Sequence, residues 1–136
     1  MTDQELVRLA LDMRKHSYVP YSRFPVGAAL LCADGRVFTG CNVENAAYGS
    51  TLCAERTALV KAVSEGCRTG WTALAIAGSG EDFCWPCGAC RQMLYEFAPN
   101  LRVLAARPDG TFRAEALSEL LPHAFGPESL ASGIEN

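Results

Sequence analysis

The chain predicts an α/β fold of the three-layer α/β/α class, a central mixed five-stranded sheet with helices on both faces. Helical apolar spacing and short apolar runs alternate along it in the order α-β-β-α-β-α-β-β-α, which favours a sheet covered by helices. Its 136 residues are the length of one domain with one core. No internal repeat or linker-like stretch divides it, so residues 1–136 are expected to form a single domain.

Thr2 followed by Glu5 has the form of a capping box, and Leu6, Leu9, Ala10 and Met13 then recur at helical spacing to about His16. Pro20 and Pro25 exclude regular helix from the next segment, which reads as an ordered loop. Val26–Cys32 and Arg36–Cys41 flank Asp34-Gly35, a hairpin signal, and a polar loop runs from Asn42 to Ser50. From Thr51 the chain is rich in helix formers, and Gly66 is placed to end a second helix that begins almost at Cys53. Trp71–Ala77 is an apolar run bounded by Gly70 and Gly78, consistent with a buried strand. Pro86 suits the start of a third helix near Cys87, which runs through Gly88–Phe97 with Met93, Leu94 and Phe97 on one side. Leu101–Ala106 and a short Thr111-Phe112-Arg113 flank the Asp109-Gly110 turn, a brief helix follows about Leu117–Leu121, and the last ten residues are expected to be loosely ordered.

Twelve Lys+Arg against fifteen Asp+Glu leave a net charge of −3. That balance disfavours nucleic-acid binding, which rests on cationic neutralisation of phosphates, and fits a small ligand better. No apolar stretch approaches the ~18 residues of a membrane span. The acidic start Met1-Thr2-Asp3-Gln4-Glu5 is unlike a signal peptide, so a cytoplasmic protein with no membrane partner is expected. In a reducing compartment its seven cysteines suit core, metal-binding or catalytic roles better than disulfides. Cys32, Cys41 and Cys67 lack chemical company and read as core residues; His16 and His123 are solitary and read as surface or capping residues.

Cys87-Gly88-Ala89-Cys90 sets two thiols one helical turn apart, and Cys53, at another helix start, could join them on one metal. The positive end of a helix lowers thiol pKa and favours the ligating thiolate. Catalytic zinc keeps three protein ligands and a place for water, whereas structural zinc is closed by four. Glu55 converges with Cys53 only if both lie in the first helical turn, where a carboxylate could take a proton from that water and return it to a leaving group.

Cys53-Ala54-Glu55 with Pro86-Cys87-Gly88-Ala89-Cys90 resembles the all-cysteine form of the zinc deaminase signature. Together with Phe24-Pro25-Val26-Gly27-Ala28-Ala29, Asn42-Val43-Glu44-Asn45-Ala46 and the run from Arg56 to Ala58, the chain resembles the short homotetrameric zinc-dependent cytidine deaminases, in order from Leu6 to about Phe125. The resemblance implies one Zn²⁺ per subunit on Cys53, Cys87 and Cys90, with Glu55 shuttling protons to ring N3 and the departing amine. It implies that Asn42 and Glu44 bind the ribose 3′-hydroxyl, that Phe24 packs on the pyrimidine and that the Ala54 backbone contacts the base. Arg56 would donate to a zinc-bound sulfur and offset the net negative charge of zinc with three thiolates. Ala46, Tyr48 and Phe125 match positions at which one subunit completes a neighbour's site in the homotetramer.

The implied reaction is hydrolysis of cytidine and 2′-deoxycytidine to the uridines with loss of ammonia, in pyrimidine salvage. One departure stands out: the family commonly has serine before the Pro-Cys pair, and here Trp85 follows Cys84. Cys84 as a fourth ligand would make a non-enzymatic zinc or iron–sulfur module. The other alternative keeps the chemistry and takes an aminonucleoside antibiotic of the blasticidin type.

Overall fold

Asp34 and Gly35 reverse the chain between the first two strands in the computed structural model, which describes residues 1–134. Gly35 has φ 91°, in the left-handed region open to glycine, and Asp34 Oδ1 accepts the Arg36 N–H at 3.0 Å. The strands so joined, β1 (Gly27–Cys32) and β2 (Val37–Cys41), pair antiparallel with Leu31 opposite Val37. β1 also pairs antiparallel with β3 (Trp71–Ala77), β3 parallel with β4 (Arg102–Ala106), and β4 antiparallel with β5 (Phe112–Ala116). The sheet order β2-β1-β3-β4-β5 is the expected mixed sheet of five strands.

Alternation along the strands divides the core in two. Ala29, Ala73, Ala75, Ala77 and Leu104 face one side, where Leu6, Val7 and Ala10 of α1 (Asp3–Met13) cover them. Ala28, Leu30, Leu74, Ile76 and Val103 face the other, under α2 (Ala54–Ser64), α3 (Gly88–Phe97) and Leu117 of α4 (Leu117–Leu120). This is the three-layer α/β/α arrangement. Gly40 sets how closely α2 lies on β2: a Cβ there would meet the Ala58 nitrogen at 2.6 Å, so a side chain would push the start of α2 off the sheet.

Helix α1 is regular only to Met13, and Arg14–His16 tighten into a 3-10 turn. β5 extends three residues beyond the predicted Arg113. Arg113 and Ala114 are exposed there, and pairing with β4 rather than an apolar pattern defines the strand. Within the last ten residues, expected to be loosely ordered, Pro127–Ile134 forms a helix, α5. Pro127 occupies the first helical position, Ser129 Oγ accepts the Gly126 N–H at 3.3 Å, and Tyr95 donates to Glu128 at 2.9 Å. Residues 135–136 of that expectation lie outside the described residues. Cys32 and Cys67 are buried as expected, but Cys41 is only partly so, its Sγ lying 3.5 Å from the His16 carbonyl. Among the described residues no helix is long and apolar enough to cross a membrane.

Candidate active site

Two helix starts meet at the C-terminal edge of the parallel strands, the usual place for a site in an α/β sheet. α2 begins after Cys53 and α3 after Cys87, and both cysteines have extended backbone, with ψ 155° and 169°. Neither side chain caps its own helix. Instead Cys53 Sγ lies 4.0 Å from Cys87 Sγ, Cys87 Sγ lies 3.5 Å from Cys90 Sγ, and all three sulfurs fall within 4.8 Å of one another. A tetrahedral zinc with bonds of roughly 2.3 Å needs sulfurs about 3.8 Å apart, so the donor set fits that metal. Cys84 is not among the converging thiols, which removes the basis for a closed four-thiol site.

Glu55 is 5% exposed, a buried carboxyl in the first turn of α2, as the early helix start requires. Burial, with the charge on Cys53 adding to it, pushes its carboxyl up to about 6, so it can both take and release a proton near neutral pH. Cys53 is lowered to about 5 by hydrogen bonding from Cys90 and by the Arg56 guanidinium, which favours its ligating thiolate. Arg56 Nη2 donates to Cys53 Sγ at 3.3 Å and to the Thr51 carbonyl at 3.1 Å.

Three adjoining cavities divide the expected site residues. Asn42, Cys53, Ala54, Glu55 and Cys87 line the one at the thiols. Glu44 and Tyr48 line a second that shares Thr51 with it, and Phe24 lines a third that shares Cys84 and Trp85. Ala46 and Phe125 line none of the three; both are exposed, as is Tyr48. Asn42 is held by its own loop, Oδ1 accepting from Val26 N–H and Nδ2 donating to the Phe24 carbonyl, both at 2.9 Å. One Nδ2 proton is left for a ligand. Glu44 Oε1 accepts the Tyr21 and Ser22 N–H groups at 3.0 Å and Oε2 accepts the Ser22 hydroxyl, so spare acceptor capacity remains on Oε2.

Val26 and Thr51 also line the central cavity; Val26 stands in the Phe24–Ala29 motif without an assigned role, and nothing in its sequence context marked Thr51. Cys84 and Trp85 line it too, and there the departure from the family pattern was the signal. A Cβ at Gly78 would come within 3.0 Å of Cys84 Sγ and 3.2 Å of Phe24, so glycine allows this wall to close.

Residues 1–106 match the family model described as the cytidine and deoxycytidylate deaminase zinc-binding region. The chain is 45% identical to a cytidine deaminase of Sporosarcina psychrophila over 136 residues, covering 99% of each. It is 48% identical over 131 residues to one from Halalkalibacterium halodurans, covering 96% of this chain and 98% of that one. The crystal structure of a cytidine deaminase from Burkholderia pseudomallei superposes with a TM-score of 0.89 at 46% identity, covering 92% of this chain and all of that one. With three thiols converging beside a buried carboxyl and the family model spanning both helix starts, the chain belongs to the cytidine and deoxycytidylate deaminase family of zinc-binding proteins.

Proposed function

We propose that this protein is a zinc-dependent hydrolase that converts cytidine and 2′-deoxycytidine to uridine and 2′-deoxyuridine with release of ammonia, in pyrimidine salvage. The observation that carries the reading is a buried Glu55 in the first turn of α2, lining the same cavity as Cys53 and Cys87 of the three converging thiols. Cys53, Cys87 and Cys90 would hold one zinc per subunit, which supplies Lewis acidity and an acidified water when bound. Glu55 would accept a proton from the attacking water, hold it at its carboxyl, and pass protons to ring N3 and then to the departing amine. The Ala54 backbone and Asn42 would orient the base and ribose in the cavity they line together, while Glu44 would take a ribose hydroxyl on Oε2. Phe24 would pack on the pyrimidine from the adjoining cavity. Arg56 would offset the charge of the zinc thiolates through Cys53.

The same reading makes the active protein a homotetramer. Tyr21 and Tyr48 lie edge to face at 5.8 Å with Tyr48 76% exposed, and Phe125 is 60% exposed, so aromatic surface is available for neighbouring subunits. Ala46, Tyr48 and Phe125 would then complete sites across subunit boundaries. A cytoplasmic setting suits the free thiols.

The test is an ammonia-release assay over cytidine, 2′-deoxycytidine, their 5′-monophosphates, free cytosine and blasticidin, with zinc measured on the same sample. Turnover of the two nucleosides with about one zinc per chain is expected. Zinc-loaded protein that releases no ammonia from either nucleoside would overturn the reading, and turnover confined to blasticidin would transfer it to the aminonucleoside deaminases.

A further inference from the structure

The end of the sheet remote from the zinc site holds two more cysteines. Cys32 closes β1, and a register shift between Leu31 and Cys32 sets it opposite Trp71 at the start of β3. Cys67 lies in the turn between α2 and β3, between Gly66 and Gly70, whose φ values of 86° and 74° shape that turn. Separate hydrogen bonds fix the two backbones. The Cys67 N–H donates to the Ala62 carbonyl at 2.9 Å, and Trp71 Nε1–H donates to the Cys67 carbonyl at 3.2 Å. The Cys32 N–H donates to the Arg36 carbonyl at 2.9 Å, and the Ala33 N–H donates to the Gly70 carbonyl at 2.7 Å. The scaffold thus brings the two Sγ atoms to 2.7 Å, inside the separation of roughly 3.5–4.0 Å preferred even by smaller unbonded carbons, and about 0.7 Å beyond a disulfide bond of roughly 2.0 Å.

We propose that Cys32 and Cys67 form a redox modification site, which a peroxide closes into a disulfide joining the base of the β1–β2 hairpin to the α2–β3 turn. One thiolate attacks the peroxide, its O–O bond breaks, and a sulfenic acid forms with loss of water. The second thiolate attacks that sulfur, the S–S bond forms, and the S–O bond breaks to release a second water. Two thiols lose two electrons and two protons overall, and one hydrogen peroxide becomes two waters. A cavity of about 260 Å³, lined by both cysteines with Asp34, Arg36 and Arg68, gives a small oxidant a path to the sulfurs. Burial and the neighbouring thiol push the Cys32 thiol up to about 12, which keeps its thiolate scarce and the reaction slow at neutral pH.

The bond would close a loop that carries β2 and α2 and would restrain the unfolded chain. The zinc ligand Cys53 stands at the opposite end of α2, so zinc and turnover are expected to persist.

The test treats the zinc-loaded full chain with hydrogen peroxide, alkylates free thiols, and maps peptides without reduction while a zinc-binding dye follows metal release. A Cys32–Cys67 linked peptide, lighter by two hydrogens and split by dithiothreitol, is expected before zinc is released. The midpoint of thermal unfolding should rise by about 5–10 °C in the oxidised protein, and Cys32→Ala or Cys67→Ser should abolish that rise. Recovery of Cys32 and Cys67 on separately alkylated peptides, or linkage of either to a zinc-site cysteine, would overturn the proposal. The wild-type peptide map decides this even where a variant fails to fold, and it does not depend on which substrate the enzyme takes.

Discussion

Helix α1 begins on Thr2, whose hydroxyl oxygen accepts the Glu5 N–H at 3.1 Å, whereas α2 and α3 begin on Cys53 and Cys87, whose side chains cap nothing. Each helix leaves N–H groups unsatisfied in its first turn and carries partial positive charge there. At α1 a local hydroxyl answers that demand, and Arg102 pairs with Asp3 at 2.7 Å beside it. At α2 and α3 the two positive ends are instead turned toward one cluster of sulfurs, with Arg56 adding a full positive charge. The α1 end is therefore self-sufficient, and the α2 and α3 ends are organised for a cation held by thiolates. The contrast separates a residue that caps its own helix from residues of the same position whose sulfurs converge on one another.

Cys87→Ala tests the contrast hardest. It should remove zinc and lower turnover by about 10³-fold or more, since the metal contributes several kcal/mol to such a reaction. Metal analysis beside the ammonia assay checks it, and retention of both zinc and activity would remove Cys87 from the ligand set. Glu55→Gln comes next: it keeps the size of the side chain and removes its proton chemistry. Turnover should fall about 10²- to 10⁴-fold with zinc content unchanged. Full activity in this variant would assign the proton transfers elsewhere.

Much of this contrast was legible in the chain itself, because local chemistry announces it. Thr2 with Glu5, Asp34-Gly35, and Pro86 before Cys87 each specify a cap, a turn or a helix start within a few residues. The converging thiols were legible for the same reason, since Cys53, Cys87 and Cys90 all stand in first turns or at their edges. What was hidden depends on partners distant in sequence. Glu44 reads as a free ligand for ribose, yet much of its carboxylate is occupied by Tyr21 and Ser22. Cys32 and Cys67 read as two unrelated core residues, because only the β1–β3 pairing and the turn after α2 bring them together. β5 gave little apolar pattern because it is an edge strand defined by its pairing with β4. Pro127 was a helix-start signal in plain view, but the contact of Glu128 with Tyr95 that holds α5 was not.

Thr2→Ala probes the self-sufficient end. Losing a threonine cap should cost about 1 kcal/mol in urea unfolding of the zinc-loaded protein, with zinc content and turnover untouched. A loss of activity or of zinc would mean that the two ends are coupled through the sheet.

Arg102→Ala should produce the smallest effect and is distinguished by its pH dependence. The Arg102 guanidinium, through its hydrogen bond and then its charge, holds the Asp3 carboxyl below its usual 3.8. A carboxyl lowered in the folded state contributes stability above the unfolded value, and that contribution is lost as pH falls through the folded value. Both side chains are well exposed, 52% for Arg102 and 38% for Asp3, so solvent screening limits the contribution to about 0.5 kcal/mol. The gap between wild type and variant should therefore be present at pH 7, shrink as the pH falls below about 4, and narrow in high salt. Urea unfolding of both proteins at a series of pH values measures the gap. A gap that persists undiminished in acid would mean that the Arg102 stem stabilises the start of α1 by packing, leaving Thr2 as the polar group that secures this end.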